Sequence, residues 1–372
     1  MTCFTILRRA SVSLVLALAL LIFFGVRELA ADEEIIRTPD EIIEAAGGEI
    51  TPEVVVELFT NCTTADAAHK EVRAPSRKKL IELGAKALPT LLKEYLSSQA
   101  LYHRIEIVNV VQAIGHPAAE FLIPYLRHEK AHGRRYAAYL LGQTAAVAKL
   151  EDPYMIGPLK EDVPAVEALA SALKGENEWQ VLSSIVSAIG AMRDPNKVDL
   201  IASYLDHQEQ SVRLSAAVSL GKVPHIVSML RLMDALDDEE ASVRGAAVLK
   251  LADTTNGDLA FDLLADTAES RDLPERKRLY ALEAFSRYFD AAMADEKLKA
   301  EGRRTKQQKQ TFKLAKRLLK ESRSEGWNIR GHAVKLIASS GHPGAAKFLK
   351  DYSKREKHPF VLSKIDLALQ NE

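Results

Sequence analysis

Cysteine is nearly absent from this sequence, and neither sign of charge is in clear excess. The 372 residues include two cysteines, Cys3 and Cys62, which cannot supply the disulfide framework of a small secreted protein. The formal net charge of -1 lacks the basic excess that nucleic-acid-binding domains usually carry. Hydrophobic residues make up 47% of the chain and charged residues 27%, as in ordinary folded proteins. The composition excludes wholesale disorder, collagen and a polytopic membrane protein, and we expect no nucleic-acid partner.

Familiar catalytic motifs are missing as well. The sequence has no GxGxxG, Walker A, GxSxG or CxxCH motif, and its ten histidines are scattered. No run of alternating apolar and polar residues indicates a β-strand. We therefore predict an all-α fold with neither a cofactor nor a catalytic site.

Residues 1–31 have the pattern of a secretory signal peptide. Arg8 and Arg9 precede seventeen uncharged residues, 10–26, and small residues end the segment at Ala31. We predict export to the periplasm or the extracellular space, with cleavage after Ala31. An uncleaved membrane anchor is the alternative, because seventeen residues is also the lower limit of a membrane span, ~17 to 25 residues.

A repeat of 31 residues runs through most of the remaining chain. Residues 205–221 read LDHQEQSVRLSAAVSLG, and residues 236–252 read LDDEEASVRGAAVLKLA. Both contain an arginine, two adjacent alanines and, eight positions after the arginine, a small residue. Residues 126–142 and 330–338 repeat the pattern. The four repeat arginines are Arg134, Arg213, Arg244 and Arg330.

Each unit combines apolar residues at helical spacing, a polar turn and a second helical stretch, which predicts two amphipathic helices back to back. This pattern resembles HEAT repeats, in their short bacterial form of about 31 residues, over about residues 76–370. That form also occurs in phycobilin-lyase-like proteins. The resemblance implies an α-α superhelix of about seven to eight helical hairpins, with the repeat arginines between units. The resemblance is specific for the fold and nearly silent about function, because the repeated residues are packing residues, and the sequence does not specify a partner.

Residues 32–75 are predicted to form a helical cap on this array. Thr38 and Thr51 each precede a proline, and threonine followed by proline is a typical helix start. A terminal unit of this kind shields the apolar end of a stack of repeats.

Two stretches of the array, 76–370, are irregular. Gly142 and Gly190 are 48 residues apart, 17 more than the period, which we assign to an insertion at 143–159. A second insertion is expected near 290–304. Insertions in repeat arrays often lie on the binding face, whereas the competing interpretation is a loop tucked onto its own array. The candidate contact residues of the first insertion are Tyr154, Met155 and Ile156.

Positive charge is concentrated in one segment. Residues 297–323 contain eleven Lys or Arg and two Glu, a net charge of +9. Helical spacing places six of these cations on one side of a predicted basic helix, 305–323, with apolar residues opposite. Such a stripe is suited to anionic membrane headgroups or an acidic partner, whereas the simpler interpretation is a solvated outer face. The six are Lys306, Lys309, Lys313, Lys316, Arg317 and Lys320.

The segment His128-Glu129-Lys130-Ala131-His132 matches the HExxH motif of zinc proteases, in which both histidines bind the metal and the glutamate activates water. The repeat pattern, however, places His128 and His132 at the turn between two helices. Lys130 also stands where zinc proteases have an uncharged residue. Deoxyhypusine hydroxylase is built of similar repeats, but its His-Glu pairs directly after the repeat arginines have no counterpart here.

We therefore predict an exported or membrane-tethered scaffold without catalytic activity, which binds a protein partner through its repeat surface. The alternatives are a metal-dependent enzyme using His128, Glu129 and His132, and a protein that binds anionic membranes through the basic helix 305–323. Residues 10–26 offer a separate route to the membrane if they are not cleaved.

Overall fold

Every regular element that the structure describes is a helix, which confirms the predicted all-α class. The predicted leader, 1–31, and the candidate contact residues Tyr154, Met155 and Ile156 lie outside the described residues. None of the described helices is both long enough and apolar enough to span a membrane. The computed structural model describes residues 36–149, 157–294, 302–320 and 326–370.

The chain divides into two compact units, Met1–Thr90 and Leu91–Glu372. The division falls inside the helix Leu88–Tyr95. The predicted cap, 32–75, ends before that point.

Three helices build the described part of the first unit, and two of them start where the threonines predict. Thr38 Oγ1 accepts a hydrogen bond from the Glu41 amide, and Glu41 Oε2 accepts one from the Thr38 amide, which is a reciprocal capping box. Thr51 Oγ1 accepts a single hydrogen bond, from the Val54 amide. The helices are α1 (Pro39–Ala45), α2 (Pro52–Thr63) and α3 (Lys70–Leu83).

From Leu88 onward the described helices form eight pairs, each with a first helix, a turn and a second helix. Two of the first helices, α6 and α10, are short and continue as 3-10 helices, Ile123–Arg127 and Ser203–Asp206. The pairs are α4 (Leu88–Tyr95) with α5 (Leu101–Ile114), α6 (Ala119–Leu122) with α7 (Ala131–Lys149), α8 (Val163–Leu173) with α9 (Trp179–Ala191), α10 (Val198–Ala202) with α11 (Gln210–Leu220), α12 (Ile226–Ala235) with α13 (Ala241–Leu251), α14 (Thr254–Glu269) with α15 (Glu275–Ala294), α16 (Gly302–Lys320) with α17 (Trp327–Ser339), and α18 (Ala345–Ser353) with α19 (Pro359–Gln370).

Consecutive second helices pack side by side. At Gly142 and Gly190, the small residue that closes a repeat lies directly against the next second helix. A Cβ atom at Gly190 of α9 would lie 2.4 Å from Cβ of Ser219 in α11. One at Gly142 of α7 would lie 3.1 Å from Cα of Ala188 in α9. Close helix approach therefore explains why the repeat ends in a residue with little or no side chain.

The irregular stretches are more helical than expected. Residues 143–149, which we assigned to an insertion, continue α7 by about two turns, and Thr144 and Ala145 are buried there. Alanine-rich sequence favours helix, so the chain does not leave α7 at Gly142. The stretch near 290–304 is likewise helical at both ends, in α15 and α16.

A buried polar network joins three helices in this irregular part. The Tyr288 hydroxyl of α15 donates to Asp258 of α14 and also contacts Gln307 Oε1 of α16, at 3.0 Å. Gln307 Nε2 donates to Asp258 Oδ1 at 3.1 Å. The tyrosine ring is fully buried. Beside it lies a cluster of buried rings, Phe261, Phe285 and Phe289.

Candidate functional site

The repeat arginine is the fourth residue of a second helix, and it joins its own turn to the next one. Nε and Nη2 of Arg213 donate to the Asp238 carboxylate, at 2.8 and 3.2 Å. Nη1 donates to the carbonyls of His207 and Gln208, at 2.9 and 3.1 Å. The Arg213 and Asp238 side chains are only 7% and 8% exposed. Asp238 also accepts a hydrogen bond from the Glu240 amide at 2.8 Å, so one carboxylate caps its own turn and holds the preceding unit.

Two other repeat arginines form the same link with a glutamate. Arg134 donates to both carboxylate oxygens of Glu176, at 2.7 and 3.1 Å, and to two carbonyls of its own turn. Arg330 donates to both oxygens of Glu356, at 2.9 and 3.1 Å. Each glutamate also accepts from the amides one and two residues further on. A bidentate pair of this kind fixes the position of one unit on the next.

The environment of Glu356 strongly favours its charged form. Burial opposes ionisation, but hydrogen bonds from Arg330, from the His358 amide and from the Tyr352 hydroxyl outweigh that effect and lower the pKa of Glu356 to about 2. The same balance lowers the pKa of Glu176, where Arg134 is the main donor.

Arg244 has the same helix position but no carboxylate partner among the described residues. Its Nη1 donates to the carbonyls of Asp238 and Glu239, at 2.7 and 2.8 Å. Its guanidinium carbon lies 5.1 Å from the ring centroid of Tyr280, a cation–π contact. The following unit is longer, because the next arginine at this position, Arg278, comes 34 residues later instead of 31.

Three further helices carry an arginine at this fourth position, in addition to the four repeat arginines named from the sequence. The 31-residue step from Arg73 to Arg104 was available in the sequence and would have identified both. Arg73 donates to the Thr64 carbonyl at 2.8 Å, and Arg278 donates to the Ala268 carbonyl at 3.0 Å. The three are Arg73 in α3, Arg104 in α5 and Arg278 in α15.

The two histidines of the HExxH motif differ in local structure. His128 lies in the turn before α7, where its Nδ1 accepts a hydrogen bond from the Lys130 amide at 3.0 Å. His132 is the second residue of α7. His128 thus takes the turn-capping place that Asp238 takes in a later unit. Within the described residues, no three or more His, Cys, Asp or Glu side chains are grouped so that they could hold a metal ion.

Two cavities that share lining residues lie along the second helices from α13 to α19. The larger, about 720 Å³, is lined by α13, α15 and α17, and the smaller, about 470 Å³, by α15, α17 and α19. Both are lined by Glu283 and His332, so we treat them as one second-helix groove. Gly245, the residue after Arg244, opens this face, because no atom lies within 4 Å of a Cβ built there. The apolar residues lining the groove include Leu249, Tyr280, Phe360 and Leu367.

Charged residues hold the middle of the groove together. Glu283 accepts hydrogen bonds from Lys335 at 2.8 Å and from Arg287 at 2.7 Å, which links α15 to α17. Burial opposes ionisation of Glu283, but Lys335 and then Arg287 outweigh it and lower its pKa. His332 Nδ1 lies 3.0 Å from the Asn328 carbonyl oxygen, which can only accept, so Nδ1 carries a proton. The groove thus presents apolar side chains around a fixed set of charges.

The predicted basic helix corresponds to α16, whose two sides differ as expected. Leu314, Ala315, Leu318 and Leu319 are buried, whereas five of the six cations are exposed and Lys316 is half-buried. Arg317 pairs with Glu269 of α14, and its Nε lies 2.6 Å from the carboxylate. Lys316 Nζ lies 5.0 Å from the ring centroids of both Phe312 and Phe348, which connects α16 to α18. The basic surface, as we define it, comprises Lys306, Lys309, Lys313, Lys316 and Lys320 of α16 and the exposed Lys347 and Lys350 of α18.

Comparison with known proteins identifies the repeats. Residues 166–252 match the family model of HEAT repeats. Those residues include α9 to α13, which contain the Arg213–Asp238 link, and the same pairing of helices continues on both sides. Residues 166–252 are therefore HEAT repeats.

Solved structures show weaker likenesses, which carry no inference of function. YibA of Escherichia coli is 15% identical with a TM-score of 0.42, covering 83% of this chain and 98% of that one. The complex of CpcE and CpcF of phycocyanin lyase from Nostoc is 18% identical with a TM-score of 0.31, covering 67% and 91%. Human deoxyhypusine hydroxylase in complex with glycerol is 15% identical with a TM-score of 0.30, covering 78% and 100%. No curated protein matches the chain.

Proposed function

We propose that this chain is a non-catalytic scaffold that binds a segment of another protein in its second-helix groove. The observation that supports this most directly is the continuity of the two cavities through Glu283 and His332, across four successive second helices. Packed helices lie roughly 8 to 10 Å apart, so the groove is on the order of 25 to 30 Å long. That length accommodates about eight residues of an extended peptide.

The side chains of the groove favour a partner segment with apolar anchors and charges of both signs. Leu249 and Leu367 are 59% and 52% exposed, although leucine is usually buried. Between them, Glu283 is already neutralised by Lys335 and Arg287, so a large excess of either charge on the partner gains little there. Buried apolar anchors contribute most of the affinity in such interfaces, and charges set the register.

The non-catalytic part of the proposal is supported by the sequence, which lacks the common catalytic motifs, and by the separate local structures of His128 and His132. Elemental analysis of the purified chain tests the metal-dependent alternative. One equivalent of zinc or iron that is lost in the His128→Ala variant would overturn the non-catalytic assignment.

Export or membrane tethering through residues 1–31 is the other part of the proposal, and it is supported by the order of basic, apolar and small residues there. Intact-mass measurement of the chain from its own cells tests it. A mass corresponding to a start at Asp32 supports cleavage, and a full-length chain in the membrane fraction supports tethering. A full-length chain found only in the soluble cytosol would contradict both.

Site-specific photo-crosslinking tests the groove. A photoreactive amino acid replaces Leu249 or Leu367, and a matched control replaces Leu230, which is 46% exposed on the first helix α12. We expect both groove positions to crosslink the same protein in cells, and the control position not to do so.

The captured protein is then purified and its affinity for the unlabelled chain is measured. Leu249→Asp and Leu367→Asp should each weaken binding by about tenfold or more, as expected for loss of a buried apolar anchor, whereas Leu230→Asp should not change it. Equal loss in all three variants, or crosslinks that favour Leu230, would contradict a binding site in the second-helix groove.

A further inference from the structure

We propose that the basic surface of α16 and α18 docks onto a layer of anionic lipid headgroups. This surface lies on first helices and does not belong to the second-helix groove, so the proposal adds a second binding surface to the scaffold. Lys306, Lys309, Lys313, Lys316 and Lys320 are spaced by three or four residues, which places them in one line along α16. With a rise of about 1.5 Å per residue, that line is about 21 Å long.

Negative charge does not neutralise this line within the described residues. The sequence from 302 to 320 contains no Asp or Glu. Lys306, Lys309, Lys313 and Lys320 form no ion pair with any acidic residue that the structure describes, and neither do Lys347 and Lys350. Asp351 of α18 is paired with Lys354 at 2.9 Å. The positive potential of the two helices therefore extends into solvent, where it attracts an anionic partner.

Lysine, rather than arginine, supplies the available charge. Arg317 is already held by Glu269, so among the described side chains of α16 the cations left for a partner are all ammonium groups. An ammonium group is a point charge without the planar fork that recognises one carboxylate or phosphate in a bidentate manner. Lysines at regular spacing consequently suit a partner with many equivalent anions in a plane, such as a lipid headgroup layer.

The basic surface also lacks the anchors of a protein interface. None of the exposed large hydrophobic residues in the described chain lies on α16 or α18. Phe312 and Phe348 are half-buried beneath Lys316, with their ring centroids 5.9 Å apart. Interface hot spots are enriched in accessible Trp, Tyr and Arg, and this surface offers only dispersed lysines. We infer that its attraction is electrostatic and that α16 does not insert into the acyl region.

Vesicle sedimentation with the full chain tests the proposal. Partition onto vesicles containing 30% phosphatidylglycerol is compared with partition onto pure phosphatidylcholine vesicles at about 50 mM and about 300 mM salt, chosen so that screening differs strongly. Any contribution of residues 10–26 is common to both lipids, so the ratio of the two partition coefficients reports the electrostatic term. We expect a large preference for anionic vesicles at low salt that falls steeply at high salt.

The stripe variant replaces Lys306, Lys309, Lys313 and Lys320 by Gln. Since each lysine near an anionic bilayer contributes about fivefold to partition, we expect the anionic preference to fall by about a hundredfold or more. The matched control loses the same net charge at four exposed lysines elsewhere. Its preference for anionic vesicles should stay within about threefold of the wild-type preference. Its replacements, also by Gln, are at Lys70, Lys86, Lys130 and Lys174.

Circular dichroism should be unchanged in both variants, because the replaced ammonium groups are exposed. Equal losses in the two variants, or no preference for anionic lipid in the wild type, would overturn the proposal. A stripe variant that keeps its vesicle partition but loses binding to a 20-base-pair DNA duplex would overturn it as well, because the basic surface would then be assigned to nucleic acid.

Discussion

Arg213 and Arg244 are 31 residues apart and occupy the same position in neighbouring second helices, yet only Arg213 reaches a carboxylate of the following turn. The regular region from α10 to α13 is joined by this charged link. In the region from α14 to α16, where the helices are longer, Tyr280 replaces the carboxylate partner of Arg244. There the buried hydroxyl of Tyr288 connects α14, α15 and α16.

The difference teaches that the arginine link depends on unit length. Arg213 and Asp238 are 25 residues apart, and Arg330 and Glu356 are 26 apart, so one period brings the acid of the next turn beside the arginine. Arg134 and Glu176 are 42 apart, yet they also meet, and the described residues 143–149 of the extra stretch continue α7 past the contact. After Arg244 the extra length belongs to α14 and α15 themselves. An aromatic and polar core joins the helices there in place of the arginine–carboxylate link.

The largest effect should come from breaking the link in the regular region. Arg213→Ala leaves the carboxylate of Asp238 buried without its cation, so we expect a loss of about 3 to 5 kcal/mol in the free energy of unfolding. Arg244→Ala removes two hydrogen bonds to carbonyls and one ring contact, and should cost about 1 to 2 kcal/mol. Urea denaturation followed by circular dichroism measures both. Equal losses would show that the carboxylate adds nothing to this position.

A smaller effect, dependent on pH, is expected at the last link. The pKa of Glu356 is about 2 in the folded chain, below its ordinary value of 4.5. A depressed pKa adds stability above the ordinary value, and that stability is lost as the pH falls from about 5 to about 2. Glu356→Gln should therefore be less stable than wild type by up to about 3 kcal/mol at pH 7, and the difference should vanish near pH 2.

The control for Glu356 is Asp199→Asn, which breaks the exposed pair of Asp199 with Arg231. Surface pairs contribute little, so its stability should follow the wild-type profile at every pH. If the difference in unfolding free energy between wild type and Glu356→Gln stayed constant from pH 7 to pH 2, the carboxylate charge would not be what stabilises this turn.

The smallest of the three effects should come from the irregular region. Tyr288→Phe keeps the buried ring but removes the hydroxyl that contacts Asp258 and Gln307, so we expect a loss of about 2 kcal/mol. Tyr204→Phe is the control, because its hydroxyl forms no hydrogen bond with the described residues, and it should be nearly neutral. Hydrogen exchange should show faster opening of α14 to α16 in Tyr288→Phe only. Unchanged hydrogen exchange in α14 to α16 would mean that packing of the Phe261, Phe285 and Phe289 rings holds these helices together without the Tyr288 hydroxyl.

Much of the fold was predictable because it follows from local patterns. The helix starts at Thr38 and Thr51 depend on hydrogen bonds within four residues, and the buried side of α16 follows from its helical spacing. The extension of α7 to Lys149 is not predicted by the local pattern, because a glycine at the close of a repeat is typical of a helix end. Gly142 instead allows α9 to approach, which is a tertiary contact.

The candidate site was less predictable. The line of lysines on α16 could be read from spacing, but its neighbours Lys347 and Lys350 on α18 could not. The second-helix groove was not foreseen at all. Gly245 and Leu249 lie about 110 to 120 residues from Phe360 and Leu367, so their common surface depends on how four helices stack.

The sequence by itself determined most of the helices, their pairing and the place of the repeat arginines, because these follow from residue periodicity and contacts within one turn or one period. Only the tertiary structure decided which acid each arginine reaches, where the second helices leave a groove and which lysines share a surface. Those features depend on the relative placement of helices, and a few extra residues in one unit change that placement without changing the local pattern.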